Sequence, residues 1–405
     1  MSEWKELSSI TSKIGSGLTP RGGNSVYTDN GISLIRSQNV LDMDFSTENL
    51  AYIDEVQAEK LKNVIVEKND ILLNITGDSI ARCTIVPEEI LPARVNQHVS
   101  IIRCKNTEQS KYVMYYLQYI KKYLLQISKV GGTRNALTKE AISKLPIKIS
   151  EDWNRISTIL DNIDRKIKIN NQINLELEAM AKILYDYWFV QFDFPDQNGK
   201  PYKSSGGKMV YNPELKREIP EGWGVEKLRD FCQYVSEKVD SSELNIENYV
   251  GTDNMIEDMG GIELTTSIPK SGTSTKFSVG DILISNIRPY FKKIWLSDRT
   301  GGCSADVLCI RTKKIIPKEF VYATLARDDF FNYDVAGSKG SKMPRGDKKH
   351  IMEYPVVFEF GIVEQYSEIV KPIYEAVHKN NNQNQELTQL RDWFLPMLMN
   401  GQVKV

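Results

Sequence analysis

From Ile156 to Leu184 the apolar residues return at alternating steps of four and three: Ile156, Leu160, Ile163, Ile167, Asn170, Asn174, Leu177, Ala181 and Leu184. That spacing is the a/d seam of a coiled coil, and it predicts one long helix over residues 156–189. About 210 residues downstream the same steps give Tyr366, Val370, Ile373, Val377, Asn380, Asn384, Leu387, Arg391 and Phe394. Asn falls at the same two steps of both copies. A polar Asn on a seam lowers stability but fixes register and partner, so the two copies read as helices meant to pair with each other. At 1.5 Å per residue, each helix is a spacer arm roughly 50 Å long. Pro372 lies inside the second and is expected to kink it.

The remaining pattern repeats with the same period. Residues 1–150 alternate short β-rich runs, such as 33–35, 71–75 and 99–103, with Gly, Asn, Asp and Pro punctuation. A helix is predicted over 111–127, where Tyr112, Tyr115, Tyr119 and Tyr123 recur at helical spacing and read as core. A basic glycine loop, KVGGTRNALTKE, and the run KLPIKIS lead into the first long helix. Residues 190–222 are polar and rich in Gly, Pro and Lys, and read as a linker; their SSGGK run does not satisfy a phosphate loop. Then the plan restarts. Trp223 with Leu228 parallels Trp4 with Leu7, FSVGDILIS at 277–285 parallels VEKNDILLN at 66–74, a helix is predicted over 317–333, and AGSKGSKMPRGDKK precedes EYPVVFEF. The expected architecture is two mixed α/β heads in tandem, 1–150 and 223–358, with spacer helices at 151–189 and 359–405 that form an antiparallel coiled coil.

Composition changes this picture little. The chain has 405 residues, 41% hydrophobic and 26% charged, with a net charge of -1, so charge matters only locally. Lys129, Arg134, Lys139, Lys144 and Lys148 cluster in one basic segment, and Lys339, Lys342, Arg345, Lys348 and Lys349 in its counterpart. The five cysteines form no CxxC and no disulfide framework, the three histidines have no metal-ligand spacing, and no apolar run is long enough to span a membrane. A cytoplasmic protein without a metal is expected. Two similar heads on rigid arms suit a duplex with two half-sites, because the arms fix the half-site spacing.

Particular motifs carry a resemblance. IPEGW at 219–223, the GDILL-type strands at 70–73 and 281–284, ITGDSIAR at 75–82 and NQHVSIIR at 96–103 stand in an order that the two halves repeat. GTDNM at 251–255 and INNQINLELEAMAKILYDYWF at 169–189 complete the set. Together they resemble the specificity subunit of Type I restriction-modification systems, across essentially the whole chain. The resemblance implies two target recognition domains that each read one half of a split DNA site, and helices that form the spacer and dock adenine-methyltransferase (modification) subunits. It also implies S-adenosylmethionine in those partners, and ATP and Mg in motor-nuclease (restriction) subunits. No cofactor is expected in this chain, which carries no [DN]PP[YF], Walker A, HExxH or GxSxG motif and reads as non-catalytic. The alternative is a DNA-acting enzyme with a degenerate nuclease or transferase head. A peptide-binding scaffold is a third class, disfavoured by the two basic loops.

Phosphates call for Lys, Arg, hydroxyls and exposed amides, and base edges for Arg, Asn, Gln or Ser/Thr on rigid supports. In the first head the candidates are Gly15, Ser16, Gly17, Thr19 and Arg21, then Thr76, Gly77, Asp78, Ser79 and Arg82. Gln97 with His98, and Gly132, Thr133, Arg134 and Asn135, complete it; Gly15 and Gly17 read equally as a turn, and His98 more readily as a core histidine. In the second head they are Asn254, Ser285, Asn286, Arg288, Tyr290 and Lys292, then Ser304, Lys339, Ser341, Lys342 and Arg345. The aromatic clusters Tyr185, Tyr187, Trp188 and Phe189, and Trp393 with Phe394, exceed what a two-helix seam buries. Tyr185, Trp188, Phe189, Trp393 and Phe394 are therefore expected to dock a partner subunit, unless they pack on the adjacent head.

Overall fold

The computed structural model describes residues 3–20, 22–129, 135–340 and 342–405. Two helices dominate it: α1, Trp153–Tyr185, which continues into a wider π turn over Asp186–Val190, and α2, Phe360–Asn400. Pro372 sits on the exposed side of α2 and the helix runs through it. The chain divides into two compact units, Met1–Asn170 with Gln383–Val405, and Asn171–Asn382. The division cuts both helices at mid-length, where the sequence suggested that whole helices stand apart from the heads. The reason is packing. Ile156, Leu160, Leu395, Leu398 and Met399 complete the first head's core, and Tyr185, Trp188, Phe189, Val363, Tyr366 and Val370 complete the second's.

In the first unit, a four-stranded antiparallel sheet runs in the order Thr11–Ser16, Val99–Cys104, Ile71–Asn74, Cys83–Ile85. A second sheet runs Ala51–Ile53, Ile32–Ile35, Ala93–Val95, Ile65–Val66, with the middle pair parallel. A two-stranded pair, Glu3–Glu6 with Pro146–Ile149, closes the head, so its first and last strands meet. Two helices, Ser110–Tyr119 and Lys121–Ile127, replace the single one expected; the break is at Ile120. Tyr112 and Tyr115 are buried, with their hydroxyls donating to Lys148 O at 2.7 Å and Asp164 Oδ2 at 2.5 Å. Burial pushes the Tyr112 phenol up to about 12.

The second unit repeats this plan. One sheet runs Cys232–Tyr234, Val307–Thr312, Ile282–Ser285, Ile294–Leu296, and the other Lys238–Asp240, Thr273–Phe277, Gly301–Cys303, Tyr249–Val250. Gly224–Lys227 pairs with Pro355–Phe358 to close it. The helix expected over 317–333 is again two, Lys318–Leu325 and Asp328–Gly337. The segment read as a linker is folded. Met209–Asn212 pairs with Arg217–Pro220, Phe192, Phe194 and Ile219 are buried, and Asp193 accepts from Ser204 N and Oγ at 2.7 and 2.6 Å. Its polar composition hid three apolar anchors; two of them pack around Trp223, with ring centroids 4.9 Å (Phe194) and 5.5 Å (Phe192) away.

Within each unit the helices run antiparallel. In the first, Asn170 Nδ2 donates to Asn384 Oδ1 at 2.8 Å and to Gln383 Oε1 at 2.9 Å, and Arg391 bonds Asp164 at 2.8 Å. In the second, Asn174 Nδ2 donates to Asn381 Oδ1 at 2.7 Å, Asn380 Nδ2 to Asn174 Oδ1 at 2.8 Å, and Tyr366 OH to Ala181 O at 3.3 Å. Seam Asn residues thus meet Asn residues, and sliding either helix by a turn would bury these amides unpaired. Among the described residues no helix is long and apolar enough to cross a membrane.

Candidate nucleic-acid interface

Each head holds its central strand with the same buried ion pair. Asp70, fully buried, accepts from Arg103 Nε at 2.7 Å and Nη2 at 2.8 Å, and its Oδ2 also accepts the Glu67 amide at 2.7 Å. Asp281 does the same for Arg311, at 2.7 and 2.8 Å, and for the Ser278 amide at 2.7 Å. A second acid, Glu67 or Glu237, meets the remaining nitrogen of each guanidinium. The Asp of the GDILL-type motif is therefore a bidentate anchor at the strand's beginning, and the strand's far end delivers the loops where the candidates lie.

In the first head four segments meet at that end. The Ile75 amide donates to His98 O at 3.0 Å and the Leu137 amide to Ile75 O at 2.9 Å, while Thr76 bridges to Ala136. Side chains continue the row: Thr19 bonds Gln97, Gln97 Nε2 lies 3.0 Å from His98 Nε2, and His98 Nδ1 lies 2.5 Å from Thr76 Oγ1. Both His98 nitrogens are engaged, so His98 orients Gln97 and Thr76 more than it offers a free edge. Gly17 lies where the chain runs tight against the neighbouring segment. A β-carbon there would stand 1.7 Å from Val95 O, and its amide donates to Asn96 O at 3.1 Å. Gly15 and Ser16 pair with Ile101 and Ser100 on the sheet, and nothing lies within 4 Å of a Gly15 β-carbon. Gly77, at φ 80°, and Asp78 are exposed on the turn, Ser79 and Arg82 half-buried, and Asn135 exposed. Arg21, Gly132, Thr133 and Arg134 lie outside the described residues.

The turn is built by a residue that the sequence motifs do not single out. Asn74 is fully buried and its Nδ2 donates to Ser37 O, Val40 O and Ser79 Oγ at 2.8, 3.2 and 3.1 Å. Ala81, forced to φ 67°, closes the turn by donating its amide to Asn74 O at 2.8 Å. An Asn ending an apolar strand was the available signal.

The second head repeats the junction with other side chains. The Asn286 amide donates to Asp306 O at 2.8 Å, the Gly346 amide to Asn286 O at 3.1 Å, and Ile287 bridges to Arg345. The Arg288 amide donates to Pro344 O at 2.8 Å, so candidates some 50 residues apart in sequence share one surface. Arg288 (φ 51°) and Lys292 (φ 50°) bracket the turn Pro289–Phe291 in left-handed conformation and push Tyr290 out, 47% exposed. Lys342 and Met343 are exposed beside it. Lys339 pairs with Asp347 at 2.5 Å, Arg345 with Asp306 at 3.0 Å and Lys292 with Asp328 at 2.8 Å. Lys339 and the amides of Lys349 and His350 hold the Asp347 carboxyl down at about 2.

Three candidates turn inward. Asn254 is buried, taking the Gly251 amide on Oδ1 at 2.7 Å and donating to Glu263 O at 2.8 Å; it ties a loop together. Ser285 is buried and donates to Ile287 O at 3.1 Å, and Asn286 lies beneath the junction. The side chains of Asn254 and Ser285 serve the backbone, which spacing alone could not distinguish from contact with a ligand. Ser304 Oγ is buried as well, and Ser341 lies outside the described residues.

The expected docking aromatics also divide. Tyr185, Trp188 and Phe189 are buried in the second head's core, where Phe189 lies 5.0 Å from Phe320 and 5.3 Å from Tyr366 between ring centroids. They pack on the adjacent head and are unavailable to a partner. In the first unit Phe394 packs against the core, and Trp393 remains 55% exposed. What the second unit does expose on α1 and the π turn after it is a stripe at heptad spacing away from the seam: Ile173, Met180, Ile183 and Tyr187.

A family model for the Type I restriction modification DNA specificity domain matches residues 6–179. The MjaIX Type I restriction enzyme specificity subunit of Methanocaldococcus jannaschii is 25% identical over 344 residues, 78% of this chain and 74% of that one. The HindI specificity subunit of Haemophilus influenzae is 21% identical with both chains covered in full. The crystal structure of the Type I restriction-modification S subunit from M. genitalium shares the fold, with a TM-score of 0.58 and 13% identity over 98% of this chain and 96% of that one. With the duplicated heads and paired helices, these similarities set the chain beside the specificity subunits of Type I restriction-modification systems, to which it is similar in sequence along its length and whose DNA specificity domain its residues 6–179 match.

Proposed function

We propose that this chain selects the DNA sequence on which a Type I restriction-modification complex acts, each head reading one part of a split duplex site. The observation that carries the reading is the repeated junction: in both heads the same strand end gathers three or four loops through the same backbone bonds, and each gathering presents polar or cationic side chains to solvent. Rigid backbone pairing beneath a polar rim is what base-edge readout demands, since a loosely held side chain discriminates poorly. In the second head Arg288 and Lys342 supply phosphate contacts and Tyr290 an aromatic surface; in the first, Thr19, Gln97 and Asn135 supply hydrogen-bonding edges.

The helices set the spacing between the parts read. The exposed stripe Ile173, Met180, Ile183 and Tyr187 is where a methyltransferase subunit docks, in place of the buried Tyr185, Trp188 and Phe189. The chain performs no chemistry itself: S-adenosylmethionine belongs to the methyltransferase partners, and ATP and Mg to the motor-nuclease partners. Mapping adenine methylation in the host genome with and without the gene tests this. A split motif with an unread spacer disappears with the gene; exchanging residues 1–150 or 223–358 for those of a relative changes one part of the motif alone. A motif that persists without the gene sinks the proposal.

A further inference from the structure

Beneath the second head's junction lies a group that the DNA reading leaves unused. Asp334, the seventh residue of the helix Asp328–Gly337, is completely buried, and neither of its carboxyl oxygens has a hydrogen-bond partner. Asn286 Oδ1 is likewise buried and without a donor. Both side chains reach the same place: a β-carbon on Gly346 would stand 2.4 Å from Asp334 Oδ1 and 3.0 Å from Asn286 Oδ1. Asp334 Oδ1 and Asn286 Oδ1 thus converge, and neither accepts a hydrogen bond from the described residues, an arrangement that repels if the carboxyl is ionised. In the first head the matching places are apolar. Ile75 and Leu137 make the backbone bonds that Asn286 and Gly346 make, and the seventh residue of Lys121–Ile127 is Ile127; all three pack on one core.

We infer that Asp334 is a positioning residue, held as a neutral carboxylic acid whose hydroxyl donates to Asn286 Oδ1 and thereby fastens the loops bearing Arg288, Lys342 and Arg345. A protonated carboxyl supplies the donor that Asn286 Oδ1 does not otherwise meet. Asn286 in turn holds both neighbouring strands of the junction, through its amide to Asp306 O and its carbonyl from Gly346 N. Burial pushes the Asp334 carboxyl up to about 6, against the opposing pull of His350. The groups around it do not supply the missing donor. His350 Nε2 lies 3.1 Å from Tyr333 O, Tyr234 OH donates to Lys348 O at 3.0 Å, and Asp347 is engaged with Lys339 and the amides of the next helix. Because the folded value is raised, the bond's stabilisation is complete below the ordinary carboxyl range and is lost as pH rises through about 6. This rests on the reading that these loops face DNA only for its purpose, not for its chemistry.

Amide hydrogen exchange on the full chain, without DNA, tests it. Corrected for intrinsic rates, protection of peptides containing Asn286 and Gly346 should fall about tenfold between pH 5 and 7.5, as the linkage between the folded and unfolded carboxyl requires. Peptides containing Ile75 and Leu137 should not change. D334N keeps a donor for Asn286 without titrating, so its profile should be flat at the protected level, while H350Q should retain the step. A flat wild-type profile overturns the inference, because a turned Asn286 amide or an internal water would then be satisfying a charged Asp334; loss of the step in H350Q overturns it by assigning the titration to the histidine. The wild-type and H350Q profiles decide even if D334N fails to fold. Failure of the DNA reading would appear separately, as a chain that retards no duplex.

Discussion

The two heads are alike where strands are held and unlike where loops are rooted. Asp70 with Arg103 and Asp281 with Arg311 are the same bidentate pair at the same place, with bonds of 2.7 and 2.8 Å in each. Where the loops are rooted, Ile75, Ile127 and Leu137 of the first head give way to Asn286, Asp334 and Gly346 of the second. The shared backbone bonds survive that exchange, because a strand end needs only its amides and carbonyls to hold a neighbouring loop. Framework and loop roots are thus separable, so one architecture carries two different loop surfaces.

The largest effects should come from the shared framework and should be equal in the two heads. Asp70→Ala leaves Arg103, 17% exposed, without its main counter-charge, and Asp281→Ala does the same to Arg311; removing one member of a buried pair costs about 3–5 kcal/mol. Urea unfolding followed by exchange in each head should show the loss confined to the mutated head. Unequal losses would mean that the pairs carry different burdens and that the framework is not truly duplicated.

Smaller losses should come from the roots, and these should differ. Leu137→Ala empties a core position and should cost the first head about 2–4 kcal/mol. At the matching place Gly346→Ala should destabilise the second head by about 1–3 kcal/mol, because the new methyl meets Asp334 Oδ1 and Asn286 Oδ1. Adding Asp334→Ala should recover part of that loss, a non-additivity visible in unfolding midpoints. Full additivity would show that Asp334 and Gly346 do not share a space.

The repeat, the seam and the α/β character are legible in the sequence because each is a periodic signal spread over many residues. Asn170, Asn174, Asn380 and Asn384 stand out as polar breaks in an apolar seam, and the pairs they form are local to the helices. The site is legible only as segments. Charge and loop context single out Arg288 and Lys342, and the structure brings their loops together by backbone bonds that no spacing encodes. The same polarity singles out Asn254 and Ser285, which are buried, because a side-chain amide or hydroxyl serves a turn as well as a base. Trp188 and Phe189 look like a partner surface since a two-helix seam cannot cover them; the adjacent head does. The segment 190–222 looks like a linker because Phe192, Phe194 and Ile219 are too few to form a period.

The smallest effects should come from the surfaces themselves, and here the heads should diverge in kind. Arg288→Ala and Lys342→Ala each remove an exposed cation from the second head. Duplex affinity of the assembled complex should then fall by less than about tenfold for any sequence, and the slope of log affinity against log salt should drop by about one for each phosphate left without its cation. Gln97→Ala removes no charge. Its side chain, set between Thr19 and His98, should leave that slope untouched and relax the methylated motif at one position in the first head's part alone. If Gln97→Ala instead weakened all sequences alike, its role would be to hold Thr19 and His98 in place, and the first head's readout would have to come from the turn at Thr76 and Gly77. If Arg288→Ala relaxed a single position with the slope unchanged, the left-handed turn that projects it would be aiming at a base edge, and both heads would then read by the same means.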